Sequence, residues 1–405
     1  MVESKMTSFE KKAVGFTSVN HAMIHVLELA YGALLVDIAR EFDASLLVLG
    51  VLANIFGFAL GAMSLPTGFI VDRMSERRLL MLCCLGMGLS SVAIGLAPNV
   101  YVLGAALMLL GLSLGIYHPA GAAFIARVAT HRGMGFAFMG VGGSIGIASG
   151  PIVAGAIAAF LGWRAPYLLY AIPSLLLAAV FFFFERAEAP VMQQSTSQPG
   201  RDKASLWPFI IPLSLIFTAQ IMNGFVYRGL VTFLPLYLGQ RIQLSLWNLD
   251  SVLIASSFTT IALIFGIGGQ FLGGYLSERR SPESIAFVIA LASVPLLVVM
   301  GNSAGMPLLV FSITFAFFHF MGQPVFNCLV ADYSPTQWRG LMFGISFFCA
   351  FGVGSFSASM LGYVADTLGV NWVFTVSAGF GLIGLACTII LLVRARRTSG
   401  RARPE

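Results

Sequence analysis

Charged residues are scarce in this chain of 405 residues. They make up 10% of the sequence, while hydrophobic residues make up 58%, and an ordinary soluble domain carries about 25% charged residues. Apolar runs recur along nearly the whole chain, and many are long enough to cross the hydrocarbon core of a bilayer, which is roughly 30 Å thick. The composition excludes a soluble globular domain and predicts an all-α membrane protein with many crossing helices.

The sequence also lacks the motifs of several enzymes and metal sites. Its glycine-rich stretches lie in apolar runs without the Gly-Lys-Ser/Thr of an ATP-binding loop, and it contains no His-Glu-x-x-His of a metalloprotease. We therefore expect no enzymatic activity, no cofactor and no resident metal. The five cysteines lack metal-ligand spacing and a disulfide pattern, and we interpret them as packing residues: Cys83, Cys84, Cys328, Cys349 and Cys387.

Twelve apolar spans are predicted, and the first is expected to remain as an anchor because no signal-peptide cleavage site follows it. If both termini lie on one side, that side carries 19 of the 23 Lys and Arg residues. This asymmetry predicts cytoplasmic termini in the inner membrane and explains the net charge of +6 without nucleic-acid binding. The spans cover residues 14–39, 46–71, 78–97, 100–127, 133–161, 165–185, 208–238, 249–276, 283–301, 306–331, 338–365 and 371–393.

An internal repeat divides the chain into two halves. Asp72 recurs as Glu278 after 206 positions, and His118 recurs as Gln323 after 205. Parallel repeats of six spans are one architecture of secondary transporters. The long polar segment between the sixth and seventh spans is predicted to link them. We therefore expect an N-terminal six-helix bundle (1–185), a cytoplasmic linker (186–207), a C-terminal six-helix bundle (208–393) and a cytoplasmic basic tail (394–405).

Several stretches carry a resemblance to a known family. Gly68-x-x-x-Asp72-Arg73, after the second span, resembles the signature of the major facilitator superfamily. "GIASGPIVAG" in the fifth span looks like the antiporter motif of its proton-driven drug exporters, although Ala154 replaces one glycine. "GIYHPAGAAFIAR" and "VGGSIGIASGP" are similar to its fosmidomycin-resistance-type branch. The resemblance implies twelve helices in two pseudo-symmetric bundles that work by alternating access.

Gating residues are expected in these motifs. Gly68 would let two helices approach closely, and Asp72 would face the positive N-terminus of a helix from the other bundle when the cytoplasmic side is closed. Gly150-Pro151 would break or bend the fifth span. The residues assigned to gating are Gly68, Asp72, Arg73, Gly146, Gly150, Pro151, Glu278 and Arg279.

Polar side chains inside the membrane concentrate in the first, fourth, seventh and tenth spans, which line the central cavity of the resembled fold. A charge at membrane depth costs at least about 2.5 kcal/mol and belongs in a paired or hydrated site. Arg228, the one basic residue inside a span, would bind a carboxylate or phosphonate, or neutralise Glu28. The residues assigned to substrate binding are Tyr31, Tyr117, Gln220, Asn223, Tyr227, Arg228, His319, Gln323 and Asn327.

His21, His25 and Glu28 lie at i, i+4 and i+7, on one face of the first span. Three interpretations are open: a metal site, a proton or substrate relay, and a hydrogen-bonded lining. A metal ion shared by His21 and Glu28 is disfavoured because two helical turns separate them by about 10 Å. We assign proton coupling to Glu28, His21, His25 and His118, and metal binding to none.

These features together predict a secondary active transporter. We expect a proton-coupled antiporter that exports small organic compounds or drugs, including anionic ones. The alternative is a proton symporter that imports a small carboxylate or similar nutrient. The expected partners are the substrate, protons and membrane lipid, and the chain is expected to act as a monomer.

Overall fold

The computed structural model describes residues 6–71, 74–129, 132–186, 207–242, 251–277, 279–335 and 339–401. Within these ranges every regular element is a helix, and eleven helices are long and apolar enough to cross a membrane. A twelfth crossing consists of Ser8–Ala33 and Leu35–Phe42, two helices that meet at an angle of 52°. The predicted all-α membrane fold is confirmed.

We number the crossings helix 1 to helix 12, and their bounds lie within a few residues of the predicted spans, except where helices 1 and 12 extend further at one end. Helices 1, 4 and 11 consist of more than one segment. In chain order the crossings are Ser8–Ala33 with Leu35–Phe42, Leu46–Ile70, Glu76–Gly95, Val100–Gly115 with Tyr117–Val128, Arg132–Leu161, Arg164–Arg186, Trp207–Arg241, Ser251–Ser277, Pro282–Gly301, Gly305–Asp332, Arg339–Phe347 continued to Ser357–Leu368, and Asn371–Arg401.

Helix 4 is interrupted at Ile116, just before His118-Pro119. Proline has no N–H to donate, and its ring collides with the carbonyl four residues earlier, so it fits the first turn of a helix without cost and strains the interior. A new segment accordingly begins at Tyr117 with Pro119 in its first turn. The interruption places His118 at a helix start inside the membrane.

Helix 5 passes through Gly150-Pro151 without interruption, so the expected break is absent. The Ile152 N–H donates to Thr260 Oγ1 of helix 8 at 3.1 Å. Hydroxyls of neighbouring helices commonly satisfy backbone groups that a proline disturbs. The proline therefore coincides with a hydrogen bond between the two halves of the chain.

Helix 11 changes its winding in the middle. Between its two α-helical segments it forms a π-helix over Phe348–Gly352 and a 3-10 helix over Val353–Phe356. A Cβ on Gly61 of helix 2 would collide with the Gly352 backbone, and one on Gly224 of helix 7 would collide with the Ala350 carbonyl. Helix 11 thus lies in backbone contact with a helix of each half, and π-helical turns often occur at functional sites.

Several further contacts between the halves lie on the far side, which we define as the membrane side opposite the two termini. Asp366, near the end of helix 11, accepts hydrogen bonds from the first N–H groups of helix 2, Leu46 at 2.8 Å and Leu47 at 2.6 Å. Asn54 of helix 2 donates to Ser359 Oγ at 3.1 Å. These bonds join the two halves on the far side. The predicted linker falls largely on 187–206, outside the described residues, and the domain bounds stay a prediction.

Candidate functional site

A cavity lies between the two halves, with walls from helices 1, 5, 7, 10 and 11. Its empty volume is about 730 Å³. His25, one of the residues assigned to proton coupling, reaches its wall. Six of the nine side chains assigned to substrate binding also line it: Gln220, Asn223, Tyr227, His319, Gln323 and Asn327.

Aromatic rings form much of the remaining wall. Phe320 and Phe326 of helix 10 and Phe347 and Phe351 of helix 11 line the cavity. Sequence reasoning missed all four, because phenylalanine occurs 35 times and its presence in an apolar run does not distinguish a cavity face from a lipid face. The available signals were two dense aromatic runs, "FAFFHF" in the tenth span and "SFFCAF" in the eleventh.

Helix 1 carries a chain of hydrogen bonds that ends at the cavity boundary. His21 Nδ1 lies 2.7 Å from the Met139 carbonyl oxygen of helix 5, and His21 Nε2 lies 3.2 Å from His25 Nε2. His25 Nδ1 lies 2.9 Å from Glu28 Oε2. We call His21, His25 and Glu28 the relay. The structure brings these three predicted residues into direct contact.

The number of protons in the relay follows from these contacts. A carbonyl only accepts, so His21 donates from Nδ1 to Met139. One proton must lie between the two facing Nε2 atoms, and another between His25 Nδ1 and Glu28, for each contact to be a hydrogen bond. Two neutral imidazoles and a carboxylate carry one proton fewer than these three bonds need. With two neutral imidazoles and a carboxylate, only two of the three contacts can be hydrogen bonds at one time, and one added proton would complete the third.

Glu28 faces Arg228 of helix 7 across the boundary between the halves. Arg228 Nη2 lies 3.6 Å from Glu28 Oε1, and the two side chains are 3% and 1% exposed. Neither of these atoms has a hydrogen-bond partner within the described part of the chain. The guanidinium carbon also lies 5.6 Å from the centre of the Phe56 ring. Since the ion pair is shielded from water, its energy depends strongly on how closely the halves approach.

Two glycines make room for this cluster. A Cβ on Gly57 of helix 2 would lie 2.8 Å from Arg228 Nη2, and a Cβ on Gly143 of helix 5 would lie between 2.5 and 2.9 Å from atoms of the His21 ring. Real Cβ atoms essentially never approach heavy atoms so closely. The positions of both side chains therefore require glycine on the facing helix.

Three residues assigned to substrate binding do not line the cavity. The Tyr31 hydroxyl donates to the Leu49 carbonyl, and the Tyr117 hydroxyl donates to the Thr17 carbonyl, each at 2.8 Å. Both tyrosines tie helices of the first half together. Arg228 lies behind the cavity wall with Glu28. Substrate contact at these three positions stays a prediction; they lie off the cavity wall in this conformation, because helical spacing alone does not fix a helix's rotation.

A group of histidines also has the geometry of a possible metal site. Donor nitrogens of His21, His25 and His118 lie within 4.8 Å of one another, while Glu28 is not part of the group. Since His21 and His25 satisfy each other's facing nitrogens at 3.2 Å, we assign a shared proton to that contact. His118 instead stacks on Phe347 of the other half, with ring centres 5.6 Å apart.

The expected gating residues differ in their surroundings. A Cβ on Gly146 would collide with the Ala22 backbone of helix 1, and one on Gly150 would lie 3.3 Å from Val26 Cα, so both pack within the first half. A Cβ on Gly68 would meet nothing within 4 Å, so the expected close helix approach there is absent from the described residues. Arg279, just after helix 8, donates to the Tyr275 hydroxyl near the end of that helix. Three remaining positions lie outside the described residues: Asp72, Arg73 and Glu278.

A polar bridge between the halves was not predicted. Ser144 of helix 5 donates to Gln270 of helix 8, and Gln270 donates to Gln323 of helix 10, each at 2.8 Å. Gln270 was missed because it is a single amide within the eighth span, where its polar neighbours are small hydroxyl residues. The bridge connects one wall residue of the cavity, Gln323, to the first half of the chain.

Comparison with known proteins gives a consistent match over most of the chain. A model of the Major Facilitator Superfamily matches residues 18–359. The chain is 21% identical over 379 residues to the fosmidomycin resistance protein of Escherichia coli (strain K12), covering 92% of this chain and 91% of that protein. It is 24% identical over 356 residues to the gallate transporter of Pseudomonas putida, covering 79% and 77%.

The fold has close counterparts among solved structures. A bacterial homologue of the human lysosomal transporter Spinster, in an inward-facing and unoccupied conformation, superposes with a TM-score of 0.79 at 14% identity. The match covers 95% of this chain and 97% of that chain. At this identity the likeness concerns the fold alone.

Proposed function

Because the chain belongs to the Major Facilitator Superfamily, we propose that it is a secondary transporter that exports small organic compounds in exchange for protons. The cavity between the halves is the substrate site, and the relay carries the coupled proton. Alternating access would expose the cavity to one side of the membrane at a time.

The contact between Glu28 and Arg228 carries this proposal. Each half of the chain contributes one of the two buried charges, and the pair lies directly behind the cavity wall. An unpaired charge at this depth would be costly, so each residue needs the other or a substitute partner. A rocking motion that separates the halves would lengthen the 3.6 Å contact, and the relay would compensate by gaining or losing the added proton.

The route from the cavity to this pair is short. His25 lines the cavity and bonds to Glu28, and Tyr227 lines the cavity and lies beside the same carboxylate. A substrate anion bound near His25 and Tyr227 would compete with Glu28 for the positive charge of Arg228. Substrate and proton would then influence each other without Arg228 lining the cavity.

Export is the direction that we favour. The antiporter-like motif of the fifth span lies on helix 5, whose Ile152 N–H bonds across to helix 8 on the far side. The similarity to a fosmidomycin resistance protein is consistent with export. The similarity to a gallate transporter favours the second candidate, uptake of a small carboxylate with a proton.

Transport by inverted membrane vesicles tests the proposal and separates these candidates. Radiolabelled fosmidomycin and gallate are supplied outside vesicles with an imposed pH gradient, acid inside. Proton-driven accumulation of either probe inside the vesicles supports export, and its loss after collapse of the gradient supports coupling. Proton-driven depletion of preloaded probe supports uptake in the cell. Probe transport at the same rate with and without the pH gradient would refute proton coupling.

A further inference from the structure

A second cavity opens within the C-terminal half, between helices 7, 9, 10 and 12. Its empty volume is about 480 Å³. Four residues line both this cavity and the central one: Asn223, His319, Gly322 and Phe326. The second cavity therefore adjoins the central cavity across these four residues, and we call it the side chamber.

Beyond its junction with the central cavity, the side chamber is lined mainly by apolar side chains, with two hydroxyl residues, Ser293 and Thr388. Asn223 and His319 lie at the junction, and no charged side chain contributes to the walls. The Thr388 hydroxyl bonds to the Leu385 carbonyl of its own helix at 2.8 Å, which satisfies its donor. A polar group deep in the chamber would lose its hydrogen bonds to water with little compensation. The chamber therefore fits an apolar group.

Small residues keep the side chamber open. Helix 9 contributes Ala286 and Ala290, and helix 12 contributes Gly384. A Cβ on Gly384 would lie 3.7 Å from the Met222 Cβ, and one on Gly322 would lie 3.8 Å from the Phe326 ring, both ordinary van der Waals distances. Close helix approach therefore does not require glycine at these two positions. Protein interiors are normally close-packed, and the small side chains of helices 9 and 12 leave this gap between the helices.

We propose that the substrate is amphipathic, with a polar head in the central cavity and an unbranched apolar tail in the side chamber. The proposal rests on the proposed function in one respect, that the central cavity is the substrate site. The amides and histidines of the central cavity would bind the head. The small side chains of helices 9 and 12 would determine the length of tail that is accepted.

Equilibrium binding to the protein in nanodiscs tests this proposal. The probes are benzoate, para-ethylbenzoate and para-hexylbenzoate, with an alkyltrimethylammonium series of matched tail lengths, and empty nanodiscs correct for partition into lipid. In the wild type, affinity should rise about threefold to fourfold for each added methylene in at least one series, as expected for burial of CH₂ groups. Ala290→Phe fills the chamber and should remove this rise while leaving the affinity for the short probe unchanged.

Two further variants complete the design. Gly384→Val fills the chamber from the opposite wall and should also remove the rise, whether or not Ala290→Phe folds. Val288 is 50% exposed on the outer face of helix 9, so Val288→Phe adds similar bulk outside the chamber and should behave as the wild type. A wild type without length dependence for either head group would overturn the proposal, as would a rise that both filling variants retain.

The outcome also separates the two proposals. An affinity that rises with tail length, without proton-driven transport, would argue against the proposed coupling and support the proposal for the side chamber. Proton-driven transport without length dependence would argue against the side chamber alone.

Discussion

At the scale of single residues, the position of the His21 ring depends on Gly143, a residue without a side chain. Gly143 of helix 5 faces the ring so closely that a methyl group would overlap it. The same ring bonds to the Met139 carbonyl one turn away on helix 5. The relay therefore depends on helix 5 for both its space and its first hydrogen bond.

Gly143→Ala should displace the His21 ring and break the relay. We expect accumulation driven by a pH gradient to fall at least about 10-fold, a loss equivalent to roughly 1.4 kcal/mol, while probe binding at the cavity changes little. Gly140→Ala is the matched control, because a Cβ there meets nothing within 4 Å on the same helix. Equal activity of the two variants in proteoliposomes would show that the relay tolerates the displacement.

Arg228 differs from the other basic residues because its partner lies in the other half. Arg228→Lys keeps the charge but loses the planar guanidinium, and Arg228→Ala leaves Glu28 without its partner. We expect both variants to reduce the accumulation of gallate inside inverted vesicles by at least about 10-fold, with neutral probes less affected. Arg241→Lys and Arg241→Ala, at the end of helix 7, are the controls. Full gallate transport by Arg228→Ala would show that the arginine serves neither coupling nor anion recognition.

The sequence predicted which polar residues concentrate near the cavity but not which ones reach it. Seven of the amide, histidine and tyrosine side chains line the wall, whereas Arg228 and Tyr117 lie behind it. Hydropathy reveals that a span contains polar groups, but its rotation about its axis depends on packing against neighbours. The glycine contacts that set this packing involve residues from both halves, and no local pattern specifies them.

At the scale of helices, the end of helix 11 is hydrogen-bonded to the start of helix 2. The Asp366 carboxylate accepts from two N–H groups that have no acceptor within helix 2. A carboxylate at a helix N-terminus also interacts favourably with the helix dipole. We expected an acidic residue to face a helix of the other bundle at Asp72 on the cytoplasmic side. A contact of this kind is observed at Asp366 on the far side, while Asp72 lies outside the described residues, so its contact stays a prediction.

Asp366→Ala should shift the protein toward conformations open on the far side. Loss of a side chain that caps a helix costs about 1 kcal/mol, or roughly fivefold in the equilibrium between conformations. Labelling of Asn223→Cys by an impermeant maleimide added from the far side should therefore become faster. Thr367→Ala is the control, since Thr367 bonds only within its own helix. An unchanged labelling rate in Asp366→Ala would show that Asp366 does not affect opening on the far side.

At the scale of the whole molecule, the crossing helices were predictable because the thickness of a bilayer sets their length. The winding of helix 11 and the bridge through Gln270 were not, since both depend on contacts between distant segments. The same holds for the relay, whose three residues share a helix but whose first bond reaches the Met139 carbonyl. Periodicity predicted a common face for these residues, and only the fold provides their partners.

The central claim is that the relay holds the transported proton, and Glu28→Gln tests it most directly. In proteoliposomes with labelled gallate or fosmidomycin, exchange at equal pH and accumulation under a pH gradient are measured on the same preparation. Glu41→Gln, near the end of helix 1, is the control. We expect Glu28→Gln to retain exchange and to lose accumulation, because the glutamine amide does not titrate and cannot bind and release the coupled proton. Normal, gradient-dependent accumulation by Glu28→Gln would contradict the claim.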